Sequence, residues 1–221
     1  MSRASDRAYS AIRNLILTGK VEPGSQLTEE NLAELCGVSR TPVRDAMRRL
    51  EAELFIIRSD SQRTFVADWS LEEVEEMFAL RGMLESHAAA RAARRLTKEQ
   101  IEQLRNLNIA IEIAISPEHP DVQAFLNNNR AFHDIILDAA ASPRLNVTLA
   151  PLVQQPVVRR TAQLYGPDQL RRSAAEHAQL VAAFEAGDPD WARAVMVSHI
   201  RRAFHVFSET SPGLDATPPI P

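Results

Sequence analysis

The sequence predicts a mainly α-helical chain: three short helices and a β-hairpin over residues 1–68, then an all-α helical bundle over residues 69–210. Three observations carry this. Apolar residues recur at spacings of three and four along most of the chain, which is the helical period. β-prone runs are confined to Leu54–Ile57 and Thr64–Val66. Seven glycines and 5% aromatics are few for a β-sandwich, which needs many turns.

Composition excludes several classes. With 24% charged and 45% apolar residues the chain is neither an acidic disordered segment nor a membrane protein. No apolar run approaches ~18 residues and no charged-then-apolar leader opens the chain, so neither a membrane span nor a signal peptide is expected. The single cysteine, Cys36, excludes an intramolecular disulfide framework and fits a reducing cytoplasm. The net charge of −4 divides unevenly: residues 1–68 carry 10 Lys/Arg and 10 Asp/Glu, and the remainder carries all the excess. Bulk charge therefore argues against nucleic-acid binding. Locally, four arginines face one aspartate between Val38 and Arg49.

A first helix runs from Ser5 to Thr18 with Ile12, Leu15 and Ile16 on one face, and Gly19 and Pro23-Gly24 end it. Thr28 is placed to cap a second helix, with Glu29 and Glu30 in its first turn and Leu32 and Leu35 facing inward. After Gly37, Ser39 is placed to cap a third. There Val43, Ala46, Met47 and Leu50 form a core face and Arg40, Arg44 and Arg48 the opposite one. Two helices joined by a short glycine-containing turn, the second with arginines at its exposed start, form a helix-turn-helix. The stripe is either a DNA-reading edge, since guanidinium forks fit guanine and phosphate, or an ordinary solvated face. The hairpin after Leu50 forms a wing.

Pro23-Gly24, Leu27-Thr28-Glu29, Leu32-Ala33, Gly37-Val38-Ser39-Arg40-Thr41-Pro42-Val43-Arg44-Asp45-Ala46 and Arg49-Leu50-Glu51 together resemble the winged helix-turn-helix of GntR-type transcriptional regulators, over about residues 8–67. The resemblance implies that Arg40 and Arg44 read operator bases, supported by Ser39, Thr41 and Arg48. The family's usual glycines are replaced by Glu53 after the recognition helix and by Arg63 at the wing tip. Arg63 either inserts into the minor groove or points to solvent.

Beyond residue 68, six helices are expected: Leu71–Leu96 with Ser70 as cap, Thr97–Ile115, Asp121–Ala141, Arg144–Tyr165 with a kink near Pro151 and Pro156, Asp168–Ala186, and Pro189–Glu209. The proline-rich tail, residues 211–221, is expected to be disordered. Three histidines fall on apolar stripes. His133 lies with Leu126, Asn129, Ile136 and Ala140; His177 with Leu170, Ala174, Val181 and Phe184; His199 with Ala192, Val195, Ala203 and Val206. His205, beside Arg201, Arg202 and Glu209, is expected in solvent; His119 lies in a proline-flanked loop, and His87 is ambiguous. Inward histidines are either hydrogen-bonded core residues or ligands of a shared metal, which would satisfy all three at once. No HExxH and no inward carboxylate stands out near them, which weighs against a metalloenzyme.

Asn129-Arg130-Ala131-Phe132-His133, Glu176-His177 and His199, with Leu80-Arg81 and Leu84-Glu85, resemble the FCD effector domain of the FadR-like GntR branch, over about residues 71–208. In metal-binding members an aspartate and three histidines hold a divalent ion. The resemblance implies His133, His177 and His199 as ligands, with Asn129 at the aspartate position. That exchange keeps an oxygen donor and removes one negative charge. Zinc ranks first as the metal, ahead of nickel, manganese, iron and cobalt. Arg81 lies on an inward stripe, paired with Glu85 or clamping an effector carboxylate. The expected function is a cytoplasmic, homodimeric, ligand-responsive repressor of operator DNA, answering to a small organic or sugar acid. The competing readings are a helical metalloenzyme and a regulator whose metal is purely structural.

Overall fold

A computed structural model of the protein describes residues 3–115, 121–153, 157, 160–161 and 164–210. It divides into two compact units, the first ending at Ser70 and the second beginning at Leu71. The expected tail, Pro156 and the loop with His119 lie outside the described residues.

The first unit holds α1 (Arg3–Leu17), β1 (Gln26–Leu27), α2 (Glu29–Cys36), α3 (Arg40–Ala52), β2 (Ile56–Arg58) and β3 (Thr64–Val66). Thr28 caps α2 by accepting from the Asn31 amide, and Gly37 ends it at φ 62°, a left-handed conformation that glycine adopts without steric cost. Ser39 takes the cap position of α3, but its hydroxyl makes no cap hydrogen bond. The core gathers Ile12, Ile16, Leu32, Val43, Ala46, Met47, Leu50, Phe55 and Val66. Leu35 departs from expectation: it is 60% exposed. The inward face of α2 runs from Leu32 through Ala33 to Cys36, because the i+4 position, not i+3, turns toward the core.

The wing is a three-stranded antiparallel sheet in the order β1–β3–β2, with Gln26 opposite Phe65 and Ile57 opposite Phe65 from the other side. The two-residue β1 was not evident in the sequence because so short a run has no period. Left-handed conformations fall on Leu54 (φ 59°) and Gln62 (φ 64°), each one residue away from Glu53 and Arg63, which replace the family's usual glycines. The wing turn is closed by its own groups. The Ser59 amide donates to the Arg63 carbonyl and the Gln62 amide to the Ser59 carbonyl, and the Ser59 and Ser61 hydroxyls bond each other at 2.8 Å.

The second unit is entirely helical among the described residues: α4 (Leu71–Ala92), α5 (Lys98–Ala114), α6 (Val122–Ala139), α7 (Pro143–Val153), α8 (Pro167–Glu185) and α9 (Pro189–Thr210). Thr97 and Gln100 form a complete capping box on α5, and the Asp121 carboxylate caps α6 at Ala124. α9 packs along α4 and α8, α5 against α6 and α8, and α6 against α4. The stripes expected on α8 and α9 are buried throughout. On α6 the core face is turned slightly, to Phe125, Phe132, Ile136 and Ala139, which leaves His133 at its edge. No helix among the described residues is long and apolar enough to cross a membrane. Thr97→Ala removes one half of the capping box, and urea denaturation is expected to show a loss of about 1 kcal/mol.

Candidate metal centre and DNA-reading face

Three helices bring the three inward histidines together. His133 (α6), His177 (α8) and His199 (α9) place ligand nitrogens within 4.8 Å of one another. Their ring centroids lie 5.0–5.5 Å apart. His177 stacks on Phe132 at 4.3 Å, which fixes the ring plane. Asn129 sits one turn before His133 on α6, partly buried.

Two of the imidazoles are oriented from behind by carboxylates. His133 Nδ1 lies 3.0 Å from Glu85, and His199 Nδ1 lies 2.7 Å from Glu176. An ionised carboxylate only accepts, so each Nδ1 carries the proton and each Nε2 is left as a lone-pair donor. Each carboxylate is held in turn by an arginine. Arg81 donates to Glu85 at 2.8 Å, and Arg202 grips Glu176 through Nε and a terminal nitrogen at 2.7 and 2.8 Å. No inward carboxylate is expected beside the histidines, and Arg202 is expected on the face of the solvated His205; the structure instead sets Glu85 and Glu176 behind two of the rings and turns Arg202 toward Glu176. Glu85 and Glu176 come from helices other than those of the rings they touch, a relation that spacing along one helix does not reveal. Arg202 has an α9 register between the buried and solvated faces, and its side chain is only 16% exposed.

His177 differs from its neighbours. It is fully buried, and neither ring nitrogen has a hydrogen-bond partner. Burial first, then His199, His133 and Arg202, push its pKa well below the ordinary value, so it is neutral. His199 is also lowered, chiefly by burial, with Glu176 opposing. Burial alone would raise both carboxyls; Arg81 with His133 holds Glu85 at about 2, and His199 with Arg202 holds Glu176 at about 2. Leaving a buried donor or acceptor unpaired costs roughly 1–3 kcal/mol. A divalent cation would use the idle His177 nitrogen together with the two Nε2 atoms, so the residues fit a metal. The Arg81 and Arg202 charges both reach the Tyr165 phenol, which burial raises and these charges lower. His87 and His205 are exposed, apart from the cluster.

On the first unit, Ser39, Arg40, Thr41, Arg44 and Arg48 are all exposed at or after the start of α3. Glu29 on α2, which the sequence placed only in a first turn, bonds Arg44 twice at 2.8 Å and meets Arg40 at 3.4 Å. Arg48 lies 3.9 Å from Asp45. Arg63 is exposed on the wing. Arg40, Arg44, Glu29, Arg58, Gln62 and Arg63 line one open cleft of about 300 Å³.

The depressed pKa values set a pH dependence. A group whose pKa is lowered by folding contributes stability above its unfolded value and loses it as pH falls through the folded one. The metal-free chain is expected to weaken first below pH 6.5, as His177 and His199 are forced to take up protons. It weakens again from pH 4.5 toward about 2, as Glu85 and Glu176 are neutralised. His177→Leu is expected to flatten the first stage. Urea midpoints measured above and below pH 6.5 check it; an unchanged slope shows that His177 does not carry the effect.

Family models match both units: the bacterial regulatory proteins of the gntR family over residues 4–66, and the FCD domain over residues 76–202. The chain is 28% identical over 188 residues to the HTH-type transcriptional regulator McbR of Escherichia coli K12, covering 82% of each chain. It is 27% identical over 201 residues to a probable D-xylose utilization operon transcriptional repressor of Paenarthrobacter nicotinovorans, covering 91% of this chain and 87% of that one. A gluconate operon transcriptional repressor of Bacillus licheniformis is 29% identical over 139 residues, with 62% of this chain and 56% of that protein covered. The solved structure of E. coli McbR/YncC shares the fold, with a TM-score of 0.78 at 24% identity over 95% of this chain and 99% of that one. These relatives and fold neighbours are transcriptional regulators, not enzymes. With a reader module followed by an effector module, the chain belongs to the GntR family of bacterial transcriptional regulators, in the branch that carries an FCD domain.

Proposed function

We propose that the chain is a cytoplasmic, homodimeric repressor whose residues 1–68 read operator DNA and whose residues 69–210 bind a divalent metal and a small carboxylate effector. The observation that carries the metal is His177, buried with two idle nitrogens between two oriented imidazoles. His133, His177, His199 and Asn129 would hold the ion, with zinc first and nickel, manganese, iron or cobalt as the other candidates. When bound, the ion supplies a Lewis-acidic positive charge. Arg81 and Glu85 offset each other, as do Arg202 and Glu176, so a divalent ion leaves the interior net positive and suited to an anion. Arg81 would meet the effector carboxylate with the terminal nitrogens that Glu85 does not take. A gluconate operon repressor among the relatives supports a sugar acid as the class.

Arg40 and Arg44 would read bases, with Ser39, Thr41, Arg48 and Arg63 on backbone or groove. A two-fold dimer presents two such faces to a short palindrome. The effector acts by binding one arrangement of the helical unit more tightly than the other, and only that difference in affinity moves the equilibrium.

Three measurements test this. Purified chain loaded with zinc is expected to retain it through gel filtration, and His177→Ala to lose it; full metal in that variant removes His177 from the site. Asn129→Asp is expected to tighten metal binding by restoring a negative ligand, and weaker binding shows that residue 129 is not a ligand. Arg44→Ala is expected to cost about 1–3 kcal/mol of operator affinity in a gel-retardation assay; an unchanged footprint refutes its role.

A further inference from the structure

The Glu29 carboxylate takes two adjacent N–H groups of Arg44, on Nε and on one terminal nitrogen, both at 2.8 Å. A guanidinium has five N–H donors in a fixed planar fork. With the side edge occupied, the edge formed by the two terminal nitrogens is the one left open for a second bidentate partner. Guanine O6 and N7 are such a partner. The same Glu29 oxygen lies 3.4 Å from Arg40, so one carboxylate touches both arginines at the start of α3.

Glu29 is itself well fixed. It opens α2 directly after the Thr28 cap, where the helix dipole favours a negative charge. The Arg44 hydrogen bond keeps its carboxyl below the ordinary range, so it stays ionised at neutral pH. Its side chain is 24% exposed, against 50% for Arg44. A free arginine on a helix surface samples many rotamers and binds any phosphate. One held flat by a carboxylate loses that freedom, and the negative charge beside it opposes a phosphate approaching from the same side.

We infer that Glu29 is a positioning residue for sequence reading: it locks Arg44 with its end-on edge forward and so directs it to a guanine rather than to the phosphate backbone. This rests on the proposed role of Arg44 in operator reading. Glu29 itself makes no base contact. It converts a cation that would add indiscriminate affinity into one that adds discrimination.

The test uses the full chain and a pool of randomised duplex DNA, with selected sequences read out to give base preference at each position. Wild type is expected to show a strong guanine preference at one position in each half-site. Glu29→Gln keeps the size but loses the charge, and is expected to reduce that preference on the order of tenfold, within what one bidentate contact supplies. Its binding to unselected duplex is expected to be equal or tighter, with a steeper salt dependence as Arg44 turns to phosphate. Glu29→Asp keeps the charge but shortens the reach, and is expected to lose base preference without the change in salt dependence. Thermal melts establish that each variant is folded. Arg44→Ala separates the two levels. If it flattens the preference while both Glu29 variants keep it, Arg44 reads bases without Glu29 and this inference fails alone. If Arg44→Ala leaves every preference intact, the base-reading role fails and this inference with it. Equal losses on selected and unselected DNA in Glu29→Gln also overturn it, because a merely structural role predicts them.

Discussion

Three imidazoles sharing one buried pocket is the constraint around which the helical unit is arranged. Protonating all three would bury three like charges within a few ångströms, so at least one must be neutral. The fold meets this by turning His133 and His199 so that each Nδ1 backs onto a carboxylate, and by leaving His177 neutral on the face of Phe132. The carboxylates would be costly alone in such an interior, and each is matched by an arginine. Removing one partner of a buried pair leaves an uncompensated charge, at a cost of roughly 3–5 kcal/mol. The relative register of α4, α6, α8 and α9 is therefore tied to one polar cluster. Apolar packing alone tolerates small slips; this cluster does not.

The first unit applies opposite charges differently. Its net charge of zero is a local pairing: Glu29 with Arg44 and Arg40, Asp45 with Arg48, Glu53 with Arg49, and Glu51 with Arg58. These pairs lie at or near the surface, so they add little stability. Their effect is on behaviour: a phosphate approaching any of these arginines would have to compete with a carboxylate already in place. A surface built this way gains less from undifferentiated phosphate than its arginine count suggests.

Much of this was legible in the sequence, and what was not has a common cause. Single-helix periodicity located Val43, Ala46, Met47 and Leu50 in one core and His177 and His199 in the other, because burial repeats with the helical turn. It failed for Leu35, where an eight-residue helix offers too few turns to separate i+3 from i+4. It found the Arg81–Glu85 pair but not the contact of Glu85 with His133, nor those of Glu176, Arg202 and Glu29, whose partners lie on another helix. Arg202 was the clearest case, since two neighbouring surface residues, Arg201 and His205, made the whole turn look solvated. The family's usual glycine positions, held here by Glu53 after the recognition helix and Arg63 in the wing, do not carry the left-handed conformations, which fall one residue away on Leu54 and Gln62.

That last displacement has a thermodynamic consequence. A glycine turn is permissive because glycine is free in the unfolded chain as well, and that freedom must be surrendered when the turn is fixed. Here the wing tip is built from Ser59, Asp60, Ser61 and Gln62, stapled by two backbone bonds and a hydroxyl pair. Its ordering entropy is therefore spent during folding, before any duplex arrives. If the wing meets DNA as proposed, it would do so as a shaped probe with Arg63 at its edge, and association would not need to freeze a loop to use it.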